Sequence, residues 1–402
     1  MLFIDIIFFV LIVISIYFIF LFLVLFYENK KRMRTLPKIK KLPSVSIIVP
    51  CHNEESTIGK VLANLKGLNY PKNLLEIIVV DDGSTDSTLK IAKQSGVKVF
   101  SKKKGGKANA LNFALRFAKG EIVACVDADS FPEKNTLLKS IPYFDDIKVA
   151  SVTTKILVKN KNSFLGRLQE IEYSLTAWSR KLLEYMESIY STPGPLSLYR
   201  KSTLLEVGGF DEKNATEDIE IAWRLLDNGY KIRMSQSKTY TQAPSRFKAW
   251  WRQRIRWNIG GMQTTLKYRN AIFKKGSANF GFFVVPFFSF SYVLSLLALG
   301  VLIYLMISTL ISFFVFNFSM IMMGLNPLKN LSFDLIWNGF TFFGILVFVL
   351  SIVTLKVGLA DVERKRPRDY VYFILFLTLY IMILPFVLIH SFIKFARGYN
   401  EW

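Results

Sequence analysis

Long apolar runs occupy the two ends of this chain and leave its middle nearly free of them. That division limits the fold before any motif is read. Residues 1–27 and 279–393 carry most of the long apolar stretches, whereas residues 28–276 read as a water-soluble unit. Residues 6–27 hold no charged side chain. As a helix they would reach about 33 Å, enough for a hydrocarbon layer of roughly 30 Å. A cleaved leader would have a shorter apolar region, about 7–15 residues, and a small-residue cleavage site. Tyr27, Glu28, Asn29, Lys30, Lys31 and Arg32 follow instead, so the segment reads as an uncleaved anchor. The middle stretch is long enough to bury a core of its own.

The later apolar region divides less cleanly. Residues 280–318 are too many for one untilted span and predict either a span with an interfacial piece or two short crossings. Residues 342–359 and 370–392 each read as one span. With one span in the first stretch the total is four. The expected organisation is an anchor at 1–27, a basic linker at 28–43, an α/β domain at 44–245, an amphipathic interface helix at 246–270, and about three spans within 279–393.

The formal net charge is +22. A chain this basic could bind nucleic acid, but the placement of the charge argues otherwise. Lys30, Lys31, Arg32, Arg34, Lys38, Lys40 and Lys41 follow the anchor, and Arg364, Lys365, Arg366 and Arg368 lie between two late apolar segments. Both clusters fit the cytoplasmic side of a cell membrane, where they could also touch anionic lipid. No nucleic-acid partner is expected, and the amino terminus should lie outside. With two Cys (Cys51, Cys125) and two His (His52, His390) there is no disulfide framework and no Cys/His zinc site. Any metal must rest on oxygen ligands, which favours Mg²⁺ or Mn²⁺.

In the soluble part, short β-rich runs alternate with helical patterns. Strands are predicted at residues 45–50, 76–81, 97–100 and 121–126, with helices at 55–68 and 108–118 between them. This alternation predicts a mostly parallel sheet with helices on both faces, whose ligands bind beyond the carboxyl ends of the strands. Asp81, Asp82, Asp127 and Asp129 all fall at such ends.

Each motif there has a plain reading beside a chemical one. Asp127, Ala128 and Asp129 end a strand; alternate residues of an extended chain point the same way, so both carboxylates can face one ligand. Two adjacent acids repel unless a cation or donors hold them, and a divalent ion bridging carboxylate and diphosphate would do so. An acidic turn would look the same. Asp82 opens Gly83, Ser84, Thr85 and Asp86, where Asp86 or Ser87 caps the next helix and Asp82 is better placed for a ligand. Lys102, Lys103 and Lys104 read equally well as a solvated loop, so Lys107, at a helix start suited to phosphate, is the stronger candidate. Thr216 is a natural N-cap for the helix beginning at Glu217 and Asp218, and its dipole should keep Asp218 ionised, ready to accept a proton from a sugar hydroxyl. Gln253, Arg256 and Trp257 share one face of a helix over about 246–267. Phe247, Trp251, Ile255, Ile259, Met262 and Leu266 form a stripe on roughly the opposite face, predicted to lie in lipid. An arginine on the first face can pair with a diphosphate, and a tryptophan can stack on a sugar ring.

The ordered set Asp82, Asp127–Asp129 with Ala128 between, Thr216 with Glu217 and Asp218, and Gln253, Arg254, Ile255, Arg256, Trp257 resembles the family 2 membrane glycosyltransferases. These include cellulose, chitin, hyaluronan and poly-N-acetylglucosamine synthases. The resemblance covers about residues 44–270. It implies a GT-A fold, Rossmann-like, in a cytoplasmic domain flanked by transmembrane helices, and an inverting transfer from a UDP-sugar such as UDP-N-acetylglucosamine. It also implies roles: Asp82 and Asp127 at the nucleoside with Glu54 near them, Lys107 and Arg256 at the diphosphate, and Asp129 on the metal. Asp218 would be the base beside Glu217, with Gln253 and Trp257 cradling the donor and acceptor ends. Gly194 and Pro195 fall where the family lines the acceptor path. The acceptor is a growing saccharide or, in a rival reading, a membrane lipid that takes one sugar. A transporter or structural protein with a degenerate domain is the reading from another class; the intact acidic set argues against it. Ser289, Ser291, Ser295, Asn338 and Thr341 could line a product route, or Ser and Thr could bond their own helix backbone.

Overall fold

The computed structural model describes residues 2–273, 279–325, 339–359 and 367–398. The soluble part opens with β1 (Val45–Cys51), α2 (Ile58–Lys66), β2 (Leu75–Asp82), α3 (Thr88–Gln94), β3 (Lys98–Lys102), α4 (Lys107–Leu115) and β4 (Ile122–Cys125), preceded by the amino-terminal helix α1 (Leu2–Asn29). There follow β5 (Ser130–Pro132), α5 (Thr136–Ser140), β6 (Val149–Val158), α6 (Phe164–Glu184), β7 (Ser197–Arg200), α7 (Lys201–Glu206), α8 (Glu217–Asp227), β8 (Lys231–Thr241) and α9 (Phe247–Lys267). The last described helices are α10 (Val285–Met322), α11 (Gly339–Gly358), α12 (Pro367–Leu375) and α13 (Ile381–Ala396).

The strands form one sheet in the order β3-β2-β1-β4-β7-β6-β8-β5. Its first half is the predicted parallel block: β1 lies between β2 and β4, with Val45 opposite Leu75 and Ile122, and β3 extends it. Beyond β4 the direction changes. β7 runs antiparallel to β4 and β6, and β5 antiparallel to β8, while β6 and β8 are parallel. The sheet is therefore mixed.

β1 shows how the core forms. Ile48 faces a cluster with Leu111, Ala114, Ile221 and Trp223 from α4 and α8, whereas Val45, Ile47 and Val49 face Val61, Leu62 and Leu65 from α2. The strand's period of two feeds both layers. Each of these side chains contributes roughly 1.5–3 kcal/mol on burial.

Among the described residues, three helices are long and apolar enough to cross a membrane: Ile4–Asn29, Phe280–Met322 and Val371–Ala396; Phe342–Gly358 is apolar but shorter. Residues 280–322 do not form two crossings. A π-helical turn, Phe280–Val284, runs directly into α10. At the helical rise α10 alone measures about 57 Å. Its start is packed on protein: Phe280 and Val284 of the preceding turn, with Val285, belong to the domain core. Ser289 Oγ donates to Val285 O and Ser291 Oγ to Phe288 O, both at 2.8 Å, so these hydroxyls serve their own helix. The cluster at Arg364, Lys365 and Arg366, and Asn338, lie outside the described residues, as do the side chains of Arg34, Thr341 and Arg368.

The apolar stripe of α9 does not lie in lipid. Ile255 and Ile259 pack with Trp250 against Leu355, Leu359, Phe376, Tyr380 and Val387 of the carboxyl-terminal helices. Met262 is buried as well, and Trp251 Nε1 donates to His390 Nδ1 at 3.1 Å; Phe247 and Leu266 alone of the six stay exposed. Sequence periodicity marks an apolar face but does not say whether lipid or protein covers it.

Candidate active site

Past the end of β4 the chain turns through Asp127 and Asp129, where the parallel half of the sheet gives way to the antiparallel half. Both acids line a cavity of about 420 Å³. It also takes in Lys107, Glu217, Asp218, Gln253, Arg256 and Trp257, so eight of the ten sequence-selected residues meet there. Asp82 and Glu54 are not among its lining residues.

Asp82 is buried, and its carboxylate is fully engaged. It accepts the N–H groups of Gly105 (2.9 Å) and Gly106 (2.7 Å) and pairs with Lys102 Nζ at 2.6 Å. Gly106 holds φ at 88°, a conformation that only glycine adopts freely, and hands the chain to α4 at Lys107. In this structure Asp82 thus fixes the turn that aims Lys107, and Lys102 is an ion-pair partner rather than a solvated loop residue.

Lys107 bridges two acids, Asp127 Oδ1 at 2.6 Å and Glu217 Oε1 at 2.9 Å. Burial works against its charge, but Asp127, Glu217 and Asp218 outweigh it and hold the ammonium well above the usual lysine range. The same partnership acts on Glu217: burial pushes it up, and Lys107 and Arg256 bring it below the ordinary glutamate value. Gly194 leaves room for the pair. A Cβ there would collide with Lys107 Nζ and stand 2.6 and 2.8 Å from the oxygens of Asp127.

Asp129 has a different setting. The hydroxyls of Ser130 and Thr241 donate to its Oδ1 at 2.9 and 3.1 Å. Burial first, and the charge of Asp127 second, push its pKa up to about 6. Glu54 receives the Thr57 hydroxyl at 2.7 Å; burial raises it, with Asp127 and Asp86 adding to the effect.

Asp218 departs from the expectation that the helix dipole sets its state. Burial, then the charge of Glu217, pushes it up to about 6 against the pull of Lys107 and Arg256. It remains ionised at neutral pH and is a stronger base than an exposed aspartate. Thr216 occupies the N-cap position without a side-chain cap bond. Its hydroxyl turns to Asn214 Oδ1 (3.3 Å), because the segment is fastened to α9 instead: Ala215 N–H donates to Gln263 Oε1 (2.8 Å) and Asn214 Nδ2 to Thr264 Oγ1 (3.0 Å). Gly260 permits this approach, since a Cβ there would stand 2.7 Å from the Thr216 Cβ.

Four residues of α6 complete the cavity: Glu172, Tyr173, Thr176 and Arg180. Glu172 pairs with Arg254 and accepts Tyr380 Oη–H at 2.7 Å, and Trp250 Nε1 donates to Tyr380 Oη at 2.7 Å. The Arg254 guanidinium lies 4.1 Å from the centroid of the Trp257 ring, whose other neighbour is Tyr173. None of these was singled out from sequence, although Glu172, Thr176 and Arg180 recur at i+4 and mark one helical face. Arg256 is exposed on the cavity and, among the described residues, has no ion pair.

A carboxylate of raised pKa, a pair of strand-end acids and an unpaired arginine thus surround one cavity on a mixed sheet, an arrangement that suits a glycosyltransferase of the GT-A type. The chain belongs to glycosyl transferase family 2, whose family model matches residues 46–208. It is 31% identical over 364 residues to probable glycosyltransferase YdaM of Bacillus subtilis, covering 86% of this chain and 81% of that protein. It is 33% identical over 263 residues to the poly-beta-1,6-N-acetyl-D-glucosamine synthase of Staphylococcus aureus, covering 63% of this chain and 62% of that one. The fold is shared with mannosyltransferase PcManGT of Pyrobaculum calidifontis, solved with GDP-Man and Mn²⁺, at a TM-score of 0.60 and 19% identity over 97% of this chain and 99% of that chain.

Proposed function

We propose that this enzyme transfers a sugar from a UDP-sugar, UDP-N-acetylglucosamine in the first instance, to a hydroxyl of a growing β-linked saccharide, with inversion at the anomeric carbon. Residues 44–245 are its catalytic unit at the cytoplasmic face of the membrane, and residues 246–270 join that unit to the carboxyl-terminal helices. The observation that carries this reading is Asp218: a half-buried carboxylate of raised pKa sharing one cavity with the unpaired Arg256. The 33% identity to a poly-N-acetylglucosamine synthase supports the donor and product class.

In this mechanism Asp218 takes the proton of the acceptor hydroxyl as its oxygen bonds to the anomeric carbon. The bond from that carbon to the diphosphate breaks, and UDP leaves with the electron pair. Arg256 neutralises the departing charge. Gln253 and Trp257 hold the reacting ends, with Trp257 as a stacking platform braced by Arg254. Asp127 and Glu217 stay neutralised by Lys107, while Glu54 and Asp82 support the nucleoside end.

The donor set suits a hard divalent cation. It is all oxygen, and Asp129 is a buried carboxylate beside a second acid, the setting in which a cation relieves repulsion. Among the described residues no group of three or more Asp, Glu, His or Cys forms a complete cage, so a cation held by Asp129 would share its coordination with the donor's diphosphate. Mg²⁺ or Mn²⁺ bound there would offset the diphosphate charge.

The test is incubation of the purified full-length protein with a panel of labelled nucleotide sugars, followed by separation of products by size and lipid solubility. A ladder of β-linked oligosaccharides from a UDP-sugar is expected. A single sugar on an extractable lipid would replace the polymer reading, and use of GDP-mannose alone would overturn the donor assignment.

A further inference from the structure

Among the described residues Arg180 is a buried charge without a partner. It is 5% exposed, lines the cavity, and has neither an ion pair nor a hydrogen bond there; its Nε is buried with no acceptor. Buried guanidinium groups are retained where something anionic meets them. The other buried arginine of the cavity region, Arg254, has Glu172 and Tyr380. Arg180 has no such answer among the described residues.

Its position indicates which ligand supplies one. Of the cavity's carboxylates, Asp218 is the one whose charge acts on it, rather than Asp127 or Asp129. It therefore stands on the side of the base, where the acceptor enters. The wall there is backed by an apolar helix. Tyr190, which lines the same cavity, packs on Phe288 of α10 at 4.7 Å. The segment containing α10 is long and apolar enough to cross a membrane. An anionic group presented there, with an apolar chain behind it and a sugar hydroxyl ahead of it at Asp218, describes one chemical class.

We propose that Arg180 forms an acceptor subsite for the phosphate of a lipid-linked saccharide, so that the first sugars are added to a phosphodiester-bearing lipid primer. The inference rests on the assignment of Asp218 as the base. Once a few sugars have been added, the phosphate has moved out of reach. Arg180 then acts on initiation and not on elongation. A planar guanidinium is suited to grip a phosphodiester through two parallel N–H bonds.

The experiment compares two synthetic acceptors with the wild-type enzyme: a short-chain prenyl-phosphate N-acetylglucosamine and the prenyl glycoside of the same sugar without phosphate. A neutral oligosaccharide serves as the elongation control. The phosphodiester should show a KM at least tenfold lower than the glycoside. Arg180→Gln should erase that difference, Arg180→Lys should restore part of it, and both should change the KM of the neutral oligosaccharide less than that of the phosphodiester. Equal KM values for the two prenyl acceptors in the wild type would overturn the proposal without any variant. A KM for the UDP-sugar raised equally with every acceptor would move Arg180 to the donor side and also overturn it. Preference for a uronic-acid saccharide over the phosphodiester would show that the anion is a carboxylate of the sugar chain, and would end the lipid proposal. Loss of transfer to every acceptor on Asp218→Asn, or its persistence, bears on the catalytic reading alone.

Discussion

The two walls of the cavity are built on opposite principles. On the sheet side the cation is answered: Lys107 by Asp127 and Glu217. On the helix side Arg180 and Arg256 face the cavity with no ion pair among the described residues. The sheet wall is thus set in place by its own charges, and the helix wall by charges that a ligand must bring. Preorganised groups act on a developing charge without rearranging, whereas unpaired ones report what is meant to bind.

Several experiments would break or sharpen that contrast. The largest effect should come from chelation. Transfer should fall to background in excess chelator and return with Mg²⁺ or Mn²⁺, and Asp129→Ala should weaken metal-dependent UDP binding in a calorimetric titration. Full activity in chelator would give Asp129 another task. Next, Asp218→Asn should lower the rate of UDP release by about 10²-fold or more while leaving UDP binding intact. Near-normal release would show that another group takes the proton.

The pH profile should follow from the same residue. Asp218 must be ionised to act, and its pKa is pushed up to about 6. Activity should therefore hold above that value and fall as pH drops through it, by about tenfold one unit below. A flat profile down to pH 5 would mean that another group takes the proton. Gly194→Ala should cost roughly 1–3 kcal/mol of stability through overpacking and lower turnover by displacing Lys107. A variant with unchanged melting and activity would show that the sheet wall is looser than its contacts indicate. The smallest effect concerns Trp257. Its replacement by Ala should shift products to shorter lengths on a sizing column while UDP affinity stays the same.

How much of this was legible in the sequence differs between the same two regions. β2 and β4 were readable because apolar runs such as Ile77, Ile78, Val79 and Val80 end at acids. The rest of the sheet was not. Beyond Ile232 and Met234, β8 buries Ser235, Ser237, Thr239 and Thr241, so that half of its inward face carries no hydropathy signal, and β5 has only three residues. The family, the enzyme class and the α/β fold stood on the acidic and Arg-Trp motifs, and the family match bears them out. What those motifs could not give was their neighbours. Glu172 and Arg180 belong to no strand end, and the stripe of α9 looked the same for lipid as for α13; Gly194 and Pro195, named from the resemblance, do line the cavity, but the closeness of Gly194 to Lys107 and Asp127 was not readable. The dipole argument for Asp218 was local, and burial, which is not local, prevailed.

The two adjacent glycines of α9 carry one more consequence. Gly260 receives Thr216, two residues from the base, and Gly261 receives the hydroxyl of Tyr292 on α10. The base and a bilayer-length helix are therefore seated on the same bare strip of backbone, side by side. A misplacement of about 1 Å at a reacting group can cost on the order of 10²-fold in rate. The choice of amphiphile around α10 is thus an active-site variable: lateral pressure on that helix reaches Asp218 through the thickness of one peptide chain, and turnover should vary between detergents and lipid discs more than the donor KM does.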